Sequence, residues 1–451
     1  MDRDQIITSE KDLIRWFFMN EKLEEDYRIG TEHEKFIFSM ENYKPAPYFG
    51  NKGIKQILEL LKSDSDWSPI IENGNIIGLK SKDRGSISLE PGGQFELSGA
   101  PLKNLHETCN ETGQHLSELK NTLKKLGLGM AGFGFHPSAS REDTLWMPKG
   151  RYNIMKKYMP KVGEMGLDMM LRTCTIQVNL DFSSEFDMIK KFKTSISLQP
   201  IISALFSNSP FIEGKLSGFL STRGEVWRNT DEDRCGIPKC IFDEDFGYLK
   251  WVNYVLDVPM YFINRNEIYH DVSGSSFRDF LNGRLQGFDG ERPTIKDWED
   301  HLSVIFTDVR LKGYLEMRGA DGGPWNRICA LPAIWVGLLY DKNALTEAEK
   351  LANKFSFSEI LSANYSSLKK GLKGNFGKYK IFDLAKELIE ISNQGLKNRM
   401  RLDSNGNDES SFLLPLIEML DRRETLSDEM IRKFNSNWCG SVNPSFEDQI
   451  I

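Results

Sequence analysis

The chain has 451 residues, of which 39% are hydrophobic and 27% are charged, so it can bury a sizeable core and is not an intrinsically disordered protein. Its 58 basic and 65 acidic residues leave a net charge of −7, which argues against a dedicated nucleic-acid or anionic-membrane binder. Six cysteines are too few for a disulfide scaffold, and no apolar run approaches the roughly 20 residues that span a bilayer. Length alone predicts about three domains, and one large α/β or α+β unit is the alternative.

Predicted helices and strands follow one another irregularly along the chain. In chain order, we predict a helix over 9–23, a strand over 27–38, a helix over 53–62, a hairpin over 70–80, a strand over 86–98 broken at Pro91-Gly92-Gly93, a helix over 102–126, and alternating strands over 172–182 and 310–318. Helices dominate after residue 341, and the lysine- and glycine-rich stretch 364–380 is predicted to be a mobile loop and a candidate lid. Without a regular βαβ alternation, we expect an α+β fold with a mostly antiparallel sheet.

Two glycine-rich segments resemble phosphate-binding loops without meeting their requirements. Gly127, Gly129 and Gly132 match G-x-G-x-x-G, but they follow a predicted helix instead of a strand, so we interpret them as a helix-ending turn. Gly377-Lys378-Tyr379 lacks the hydroxyl residue that follows the lysine of a P-loop. Any ATP must therefore be held in another way.

Four predicted strands each have one polar side. Residues two apart on a strand share a face. On this basis the polar sides carry Glu32 and Glu34; Glu90, Gln94 and Glu96; Gln177, Asn179 and Asp181; and Lys312, Tyr314, Glu316 and Arg318.

These polar sides have two interpretations. One is a half-buried antiparallel sheet with a solvated face. The other is a site for a divalent cation, because two carboxylates 4 Å apart repel by about 4 kcal/mol at an effective dielectric constant of about 20, and a cation removes that repulsion. Mg²⁺ fits best, since it prefers hard oxygen ligands and bridges phosphates. Gln177 can add a carbonyl oxygen, and Arg318 beside Glu316 suits a phosphate that is being transferred.

The same segments resemble the plant-type glutamate–cysteine ligases, a family shared by plants and many proteobacteria. The resembling segments are 30–36, 88–99, 147–155, 169–181 and 314–325, and the match runs from about residue 27 to the end of the chain. The resemblance implies one catalytic domain over 1–451, with a helical lead-in over 1–26 and a mostly helical part over 341–451 packed on the same unit. It replaces the estimate of three domains.

The resemblance also implies a fold and a reaction. The fold is similar to the catalytic domain of glutamine synthetase, in which a curved, mainly antiparallel sheet forms a funnel with helices outside. The family uses ATP to phosphorylate the γ-carboxylate of L-glutamate, and the amine of L-cysteine then displaces phosphate. The products are γ-L-glutamyl-L-cysteine, ADP and phosphate, in the first step of glutathione biosynthesis.

Matching the family's motifs residue by residue assigns roles at the polar sides. The implied ligands of two or three Mg²⁺ ions are Glu32, Glu34, Glu90, Glu96, Gln177 and Glu316. Arg318, with Glu316, is the implied catalytic residue and neutralises the γ-phosphoryl group. Lys312 assists Arg318 at the nucleotide, and Asn179 supports Gln177 at the substrate.

Two further segments are expected to contact the amino-acid substrate, whose α-carboxylate suits an arginine fork. Their candidate residues are Arg151 and Tyr152 in the first segment, and Arg223, Trp227 and Arg228 in the second. The alternative is that one arginine of each segment makes a structural ion pair. Arg234 is a weaker candidate, and Trp325 and Trp335 are expected in the core.

Cys109 and Cys329 stand where plant members can carry a redox-sensitive pair. Val272 and Gly287 occupy the positions of the second plant pair, which argues against plant-style disulfide control of dimerisation. We predict that Cys109 and Cys329 are free thiols in the cell. The sequence shows no N-terminal transit extension, which leads us to expect a cytoplasmic, bacterial member.

The expected partners are small molecules, L-glutamate, L-cysteine and ATP, with neither nucleic acid nor membrane, in a monomer or a homodimer. Two alternatives remain open. One is a related carboxylate–amine ligase that uses another amine or feeds another low-molecular-weight thiol. The other is a regulatory paralogue without turnover, which would usually have lost some of the candidate metal ligands.

Overall fold

A nine-stranded sheet of antiparallel strands organises the computed structural model, which describes residues 1–64 and 66–451. The strands are β1 (Ile29–Ser39), β2 (Ser68–Glu72), β3 (Asn75–Lys80), β4 (Ser86–Leu89), β5 (Phe95–Ser98), β6 (Leu128–Ala131), β7 (Thr175–Leu180), β8 (Phe211–Ile212), β9 (Lys215–Leu216), β10 (Cys235–Gly236), β11 (Phe262–Arg265), β12 (Ile268–Asp271), β13 (Phe306–Thr307), β14 (Val309–Leu311), β15 (Leu315–Asp321), β16 (Asn375–Phe376) and β17 (Tyr379–Lys380). The order in the large sheet is β14-β15-β7-β1-β5-β4-β3-β2, and β6 pairs with the far end of β1.

Helices surround this sheet. They are α1 (Glu10–Phe18), α2 (Ile54–Asp64), α3 (Leu105–Leu126), α4 (Gly150–Val162), α5 (Gly166–Arg172), α6 (Glu185–Leu205), α7 (Thr222–Arg228), α8 (Tyr248–Asp257), α9 (Phe277–Leu281), α10 (Ile295–Leu302), α11 (Trp325–Leu339), α12 (Lys342–Ala352), α13 (Phe357–Lys370), α14 (Ile381–Asn398), α15 (Leu414–Arg422), α16 (Leu426–Asn435) and α17 (Pro444–Asp448). The large sheet is open, and the α+β prediction is confirmed.

Local sequence signals explain several of these elements. Ser9 and Asp12 form the capping box that begins α1, as their spacing predicted. Asn73 and Gly74 both have positive φ, 48° and 75°, which suits the tight turn between β2 and β3. Gly127 ends α3 with φ of 69°, which confirms that the first glycine motif is a helix-ending turn.

The predicted strand 310–318 is wrong in one respect, because it is two strands joined by a tight turn. β14 ends at Leu311 and β15 begins at Leu315, and the amide of Lys312 donates to the carbonyl of Tyr314 at 2.8 Å. Arg310 pairs directly with Glu316 across this hairpin. The turn therefore keeps polar residues on one face, and alternation alone cannot distinguish it from one straight strand.

The predicted mobile loop 364–380 is also wrong. Its first part continues α13, and its last part is the β16–β17 hairpin. Leu368, Leu372 and Phe376 are buried, and the ring of Phe376 stacks on Phe355 with centroids 3.7 Å apart. The lysines made the stretch appear solvated, whereas its apolar residues anchor it to the core.

The apolar side of β7 faces the core. Ile176, Val178 and Leu180 are fully buried, and α6 and α11 pack against β15 and β7. Trp335 of α11 is buried as predicted, but Trp325 is 46% exposed because it stands at the start of that helix. Among the described residues, no helix is both long and apolar enough to cross a bilayer.

The packing of α3 against α11 joins two cysteines. Cys109 and Cys329 form a disulfide with Cα atoms 5.7 Å apart. This contradicts the prediction of two free thiols, because the sequence alone does not show that α3 and α11 bring the two cysteines together. The free cysteines in the described ranges are Cys174, Cys235, Cys240 and Cys439.

Thiol titration tests the pairing. Under denaturing, non-reducing conditions we expect only the four other cysteines to react. Reduction should lower the free energy of unfolding by about 2–4 kcal/mol, because the disulfide closes a long loop of the unfolded chain. The double variant Cys109→Ser/Cys329→Ser is the control, since its urea midpoint should not respond to reductant. Six reactive thiols, or an unchanged midpoint on reduction, would contradict the pairing.

Candidate active site

Strand register places acidic residues opposite one another. Glu34 on β1 pairs with Glu96 on β5, and Glu96 pairs with Ser88 on β4. Glu32, two residues before Glu34, pairs with Gln177 on β7. Directly opposed residues share a face of the sheet, so these strands present one continuous polar surface.

A second row extends this surface toward the β14 edge. Asn179 on β7 pairs with Glu316 on β15, which pairs in turn with Arg310 on β14. The side-chain amide of Asn179 donates to Glu32 at 2.7 Å and links the two rows. The amide therefore orients Glu32, and no hydrogen bond joins Asn179 to Gln177.

The turn between β4 and β5 brings Glu90 to the same surface. The amide of Gly93 donates to the carbonyl of Glu90 at 2.9 Å, which closes the Pro-Gly-Gly turn. Gly92 lies so close to α5 that an added Cβ would be 2.2 Å from the carbonyl oxygen of Leu171. Only glycine fits there, which explains this break in the polar strand.

A cavity of about 210 Å³ lies over this surface, and most of the predicted site residues line it. They are Glu32, Glu34, Glu90, Glu96, Arg151, Tyr152, Gln177, Arg223, Trp227 and Arg318. Two larger cavities adjoin it. One, of about 730 Å³, contains Lys312 and Asn179 and shares Glu32 with the central cavity. The other, of about 460 Å³, contains Arg228 and shares Arg223 and Arg318.

Burial raises the pKa of two carboxyl groups in the central cavity, those of Glu34 and Glu96. Burial first, and then the charges of Glu90 and Glu32, raise the pKa of Glu96 to about 8. Burial, and then Glu90 and Glu96, raise the pKa of Glu34 well above its ordinary value. These groups repel one another when ionised, as the sequence predicted for neighbouring glutamates.

The donor set fits a hard cation, although no preformed cluster is present. Within 1–64 and 66–451, no three His, Cys, Asp or Glu side chains are spaced to hold a metal ion as they stand. However, Oε1 of Glu316 and Oδ1 of Asn179 are buried without a hydrogen-bond partner. Unpartnered hard oxygens beside carboxylates of raised pKa are what a divalent cation would satisfy.

Glu316 differs from the other glutamates because cations surround it. Its Oε2 atom lies 2.6 Å from Arg310 and 3.0 Å from Arg318, and Oε1 lies 3.8 Å from Lys312. Burial alone would raise the pKa of Glu316, but Arg310 and Lys312 hold it far below its ordinary value. Glu316 is therefore held in its ionised form, and, after burial, its charge is the next cause that raises the pKa of the neighbouring Glu32.

Arg318 crosses from this ion cluster to the central cavity. Its Nη1 atom donates to Oε1 of Gln177 at 2.7 Å and to Glu316 at 3.0 Å. Its guanidinium carbon lies 5.8 Å from the centre of the Trp227 ring. The positive charge of Arg318 is therefore held at the wall shared by the two smaller cavities.

The candidate substrate arginines fall into two groups. Arg151 and Arg223 line the central cavity, and the buried Nε atom of each has no hydrogen-bond partner. In contrast, Arg228 pairs with Glu225 one turn away at 2.8 Å, and Arg234 is fully buried with Asp231 at 2.6 Å. Tyr152 lies beside Arg151, and its hydroxyl donates to the carbonyl of Leu89 at 2.6 Å.

The sequence analysis missed two charged residues of the site. Arg310 lines the central cavity and makes the shortest contact to Glu316. Asp308 lines the cavity of about 460 Å³, where Asn364 donates to it at 3.2 Å. Arg310 could have been predicted, because it lies two residues from Lys312 and therefore shares its strand face. No local sequence pattern distinguishes Asp308 from other acidic residues.

Comparisons with known proteins agree on one family. A family model described as glutamate–cysteine ligase family 2 matches residues 28–448. The chain is 48% identical over 440 residues to the chloroplastic glutamate–cysteine ligase B of Oryza sativa subsp. japonica, which covers 98% of this chain and 87% of that protein. It is 48% identical over 441 residues to the chloroplastic glutamate–cysteine ligase of Arabidopsis thaliana, with 97% and 82% covered.

A solved structure shares the fold. The crystal structure of glutamate–cysteine ligase from Francisella tularensis in complex with AMP superimposes with a TM-score of 0.57. The alignment covers 95% of this chain and 89% of that chain, at 13% sequence identity. At this identity the likeness shows the fold alone.

The plant relatives contradict the predicted cytoplasmic location. Those from Oryza sativa, Medicago truncatula, Nicotiana tabacum and Arabidopsis thaliana are all named as chloroplastic enzymes. The prediction was wrong because it relied on the first residues of the sequence, from which a location does not follow.

The raised pKa of Glu96 predicts a pH-dependent stability. A carboxyl whose pKa is higher in the folded than in the unfolded protein binds more protons when folded, so stability is lost as pH rises toward about 8. In chelator, we expect the free energy of unfolding to fall by about 2 kcal/mol between about pH 6 and pH 8. Urea titrations at each pH measure this decline.

Glu96→Gln should flatten that decline, because the amide carries no proton to lose. Glu390→Gln on the exposed side of α14 is the matched control and should leave the decline as it is. A Glu96→Gln protein with the full wild-type decline would show that the buried cluster does not titrate in this range.

Proposed function

The chain belongs to glutamate–cysteine ligase family 2, as its resembling segments predicted, and we propose that it uses ATP and Mg²⁺ at the carboxylate-lined cavity. It is a ligase that forms γ-glutamylcysteine, in the first step of glutathione synthesis. One observation carries the proposal: the register of β1, β5 and β7 gathers Glu32, Glu34, Glu96 and Gln177 below the guanidinium of Arg318.

Bound Mg²⁺ would neutralise the clustered carboxylates and bridge phosphate oxygens. Its proposed ligands are Glu32, Glu34, Glu90, Glu96, Gln177 and Glu316. Oε2 of Glu34 is already oriented by the amide of Thr175 at 3.0 Å, and Oε1 of Glu96 by the hydroxyl of Ser98 at 2.6 Å. These contacts orient two of the proposed ligand oxygens, and the side chains must still draw together when a cation binds.

The two chemical steps need positioning and charge neutralisation but no enzyme nucleophile. An oxygen of the glutamate γ-carboxylate takes the γ-phosphoryl group of ATP, and ADP leaves. The cysteine ammonium group loses a proton to solvent and the free amine attacks the acyl carbon. The C–N bond forms, the nitrogen loses a second proton to solvent, and phosphate leaves with the former carboxylate oxygen. Arg318 is the proposed residue that neutralises the phosphoryl oxygens, because its guanidinium faces both smaller cavities.

The three cavities suggest where each substrate binds. The largest cavity, with Lys312 and Tyr314, suits the nucleotide, since it meets the carboxylates at Glu32. The central cavity suits glutamate, with Arg151 as the fork for its α-carboxylate. The third cavity, which reaches Arg318 from the other side, suits the amine acceptor.

The acceptor cavity combines both signs of charge, as an amino acid requires. Arg223, Arg228 and Trp227 line it together with Asp308. Burial raises the pKa of the Asp308 carboxyl, and Arg223 and Arg318 act against that rise. Asp308 is the proposed partner of the cysteine ammonium group.

The single-domain organisation and a monomeric or homodimeric state remain predictions.

ADP release tests the reaction directly. With ATP, Mg²⁺ and L-glutamate, we expect steady ADP release only when L-cysteine is added, since the acyl phosphate otherwise has no amine acceptor. Other amino acids added singly should give far lower rates. Equal release without cysteine would contradict the proposal, a faster rate with another amine would support the alternative acceptor, and no turnover with any amine would support the regulatory paralogue.

Asp308→Asn tests the acceptor cavity. Loss of the charge that faces the ammonium group should raise the KM for cysteine by about tenfold, while the KM values for glutamate and ATP stay near wild type. The exposed Asp233→Asn is the matched control, since Asp233 lines none of the three cavities. An unchanged KM for cysteine in Asp308→Asn would remove Asp308 from the acceptor site.

A further inference from the structure

Strand β15 contains a bulge at the edge of the active site. Met317 pairs with Val178 on β7, but the next pair is Ala320 with Ile176. Arg318 and Gly319 therefore stand together opposite a single residue, Gln177. A Cβ added to Gly319 would lie 2.1 Å from the side-chain amide nitrogen of the buried Gln199, so only glycine fits at the extra position.

The extra residue decides which face Asp321 occupies. With the bulge, Asp321 pairs with Thr175, which shares its side of β7 with Gln177. Without the bulge, the pairing would slip by one residue, and Asp321 would point to the opposite, apolar side. The bulge therefore delivers a carboxylate to the polar side of the sheet.

Asp321 is buried there and accepts three hydrogen bonds from one neighbouring segment. Its Oδ2 atom accepts from the amide of Asn208 at 2.8 Å and from the hydroxyl of Ser209 at 2.6 Å. Its Oδ1 atom accepts from the hydroxyl of Ser221 at 2.7 Å. These donors come from the two ends of the connection between α6 and α7, so Asp321 fixes both ends at once.

The same hydroxyls begin the helix that carries Arg223. Ser221 caps α7 by accepting from the amide of Gly224 at 3.1 Å, and Ser209 accepts from the amide of Arg223 at 3.2 Å. From this helix start, Nη2 of Arg223 reaches the carbonyl of Arg318 at 2.8 Å, within the bulge itself. Burial lowers the pKa of Arg223, and the carboxylates of Asp321 and Glu34 counteract that effect.

We propose that Asp321 is a positioning residue that aims Arg223 at the amino-acid substrate, through the hydroxyls of Ser209 and Ser221. The proposal rests on the assignment of Arg223 to amino-acid binding in the proposed function. Arg223 lines both the central and the acceptor cavities and retains an unpartnered Nε atom. The orientation of its guanidinium group therefore determines how it binds the carboxylate of an amino-acid substrate. Asp321 lines neither cavity, so any effect it has on the substrate passes through residues that do.

Three variants test the chain of contacts: Asp321→Asn, Arg223→Met and the double variant. Asparagine offers one acceptor oxygen in place of two, so it cannot receive all three donors. Arg223→Met identifies which KM, for glutamate or for cysteine, depends on Arg223. We expect Asp321→Asn to raise that same KM by about tenfold and to leave the KM for ATP unchanged. The double variant should be no worse than Arg223→Met alone, because Asp321 then has nothing to position.

Each other outcome is decisive. If Asp321→Asn lowers kcat alone, or adds fully to Arg223→Met, Asp321 does not act through Arg223 and the inference is overturned. If Arg223→Met leaves both amino-acid KM values at wild type, the assignment of Arg223 fails, and the inference fails with it. The result for Asp321→Asn leaves the proposed role of Arg223 intact, whereas wild-type KM values in Arg223→Met would contradict that role as well.

Two further variants guard against a folding defect. Ser221→Ala removes one of the three hydrogen bonds and should raise the same KM by a smaller factor. Ser392→Ala removes a buried hydroxyl that bonds only within the α11–α14 packing, and it should leave every KM at wild type. If Ser221→Ala behaves like Ser392→Ala, the inference is overturned even where Asp321→Asn does not fold.

Discussion

The repulsion between buried carboxylates is the constraint on which this structure depends. Glu34 and Glu96 stand directly opposite each other on adjacent strands, with Glu90 at the turn beside them. Like charges in such a register destabilise a sheet unless something neutralises them. The raised pKa of Glu96 means that a proton neutralises part of this charge. A bound divalent cation would neutralise it instead and would also bind phosphate oxygens. Two of the neighbouring cations, Arg310 and Arg318, pair with Glu316 instead.

Much of this site was predictable from alternation along strands. Glu32, Glu34, Gln177 and Glu316 were placed on polar faces by parity, and the register brings those faces together. The error over 310–318 arises because the alternation of side chains is the same in a hairpin with a tight turn as in one straight strand. The segment 310–318 reads as one strand although it is a hairpin, because Arg310 and Glu316 face the same way in both arrangements.

Other features depend on contacts that are distant in sequence. The bulge at Arg318 and Gly319 lies against the side chain of Gln199 on α6, a contact that no local pattern shows. The Cys109–Cys329 disulfide likewise depends on the packing of α3 against α11. Which arginine faces the substrate also depends on distant contacts. Arg228 pairs with Glu225 in its own helix, whereas Arg223 reaches the carbonyl of Arg318 on β15. The family resemblance supplied the reaction, but it did not supply these distances.

Proton release on cation binding tests the central claim most directly. Without metal at about pH 7, the carboxyl of Glu96 should be mostly protonated, since its pKa lies near 8. Addition of Mg²⁺ to the full chain in weak buffer should therefore release about one proton per chain or more, and Glu34→Gln/Glu96→Gln should lose that release. Magnesium binding without proton release, or release that is unchanged in the double variant, would contradict the claim that the opposed carboxylates form the cation site.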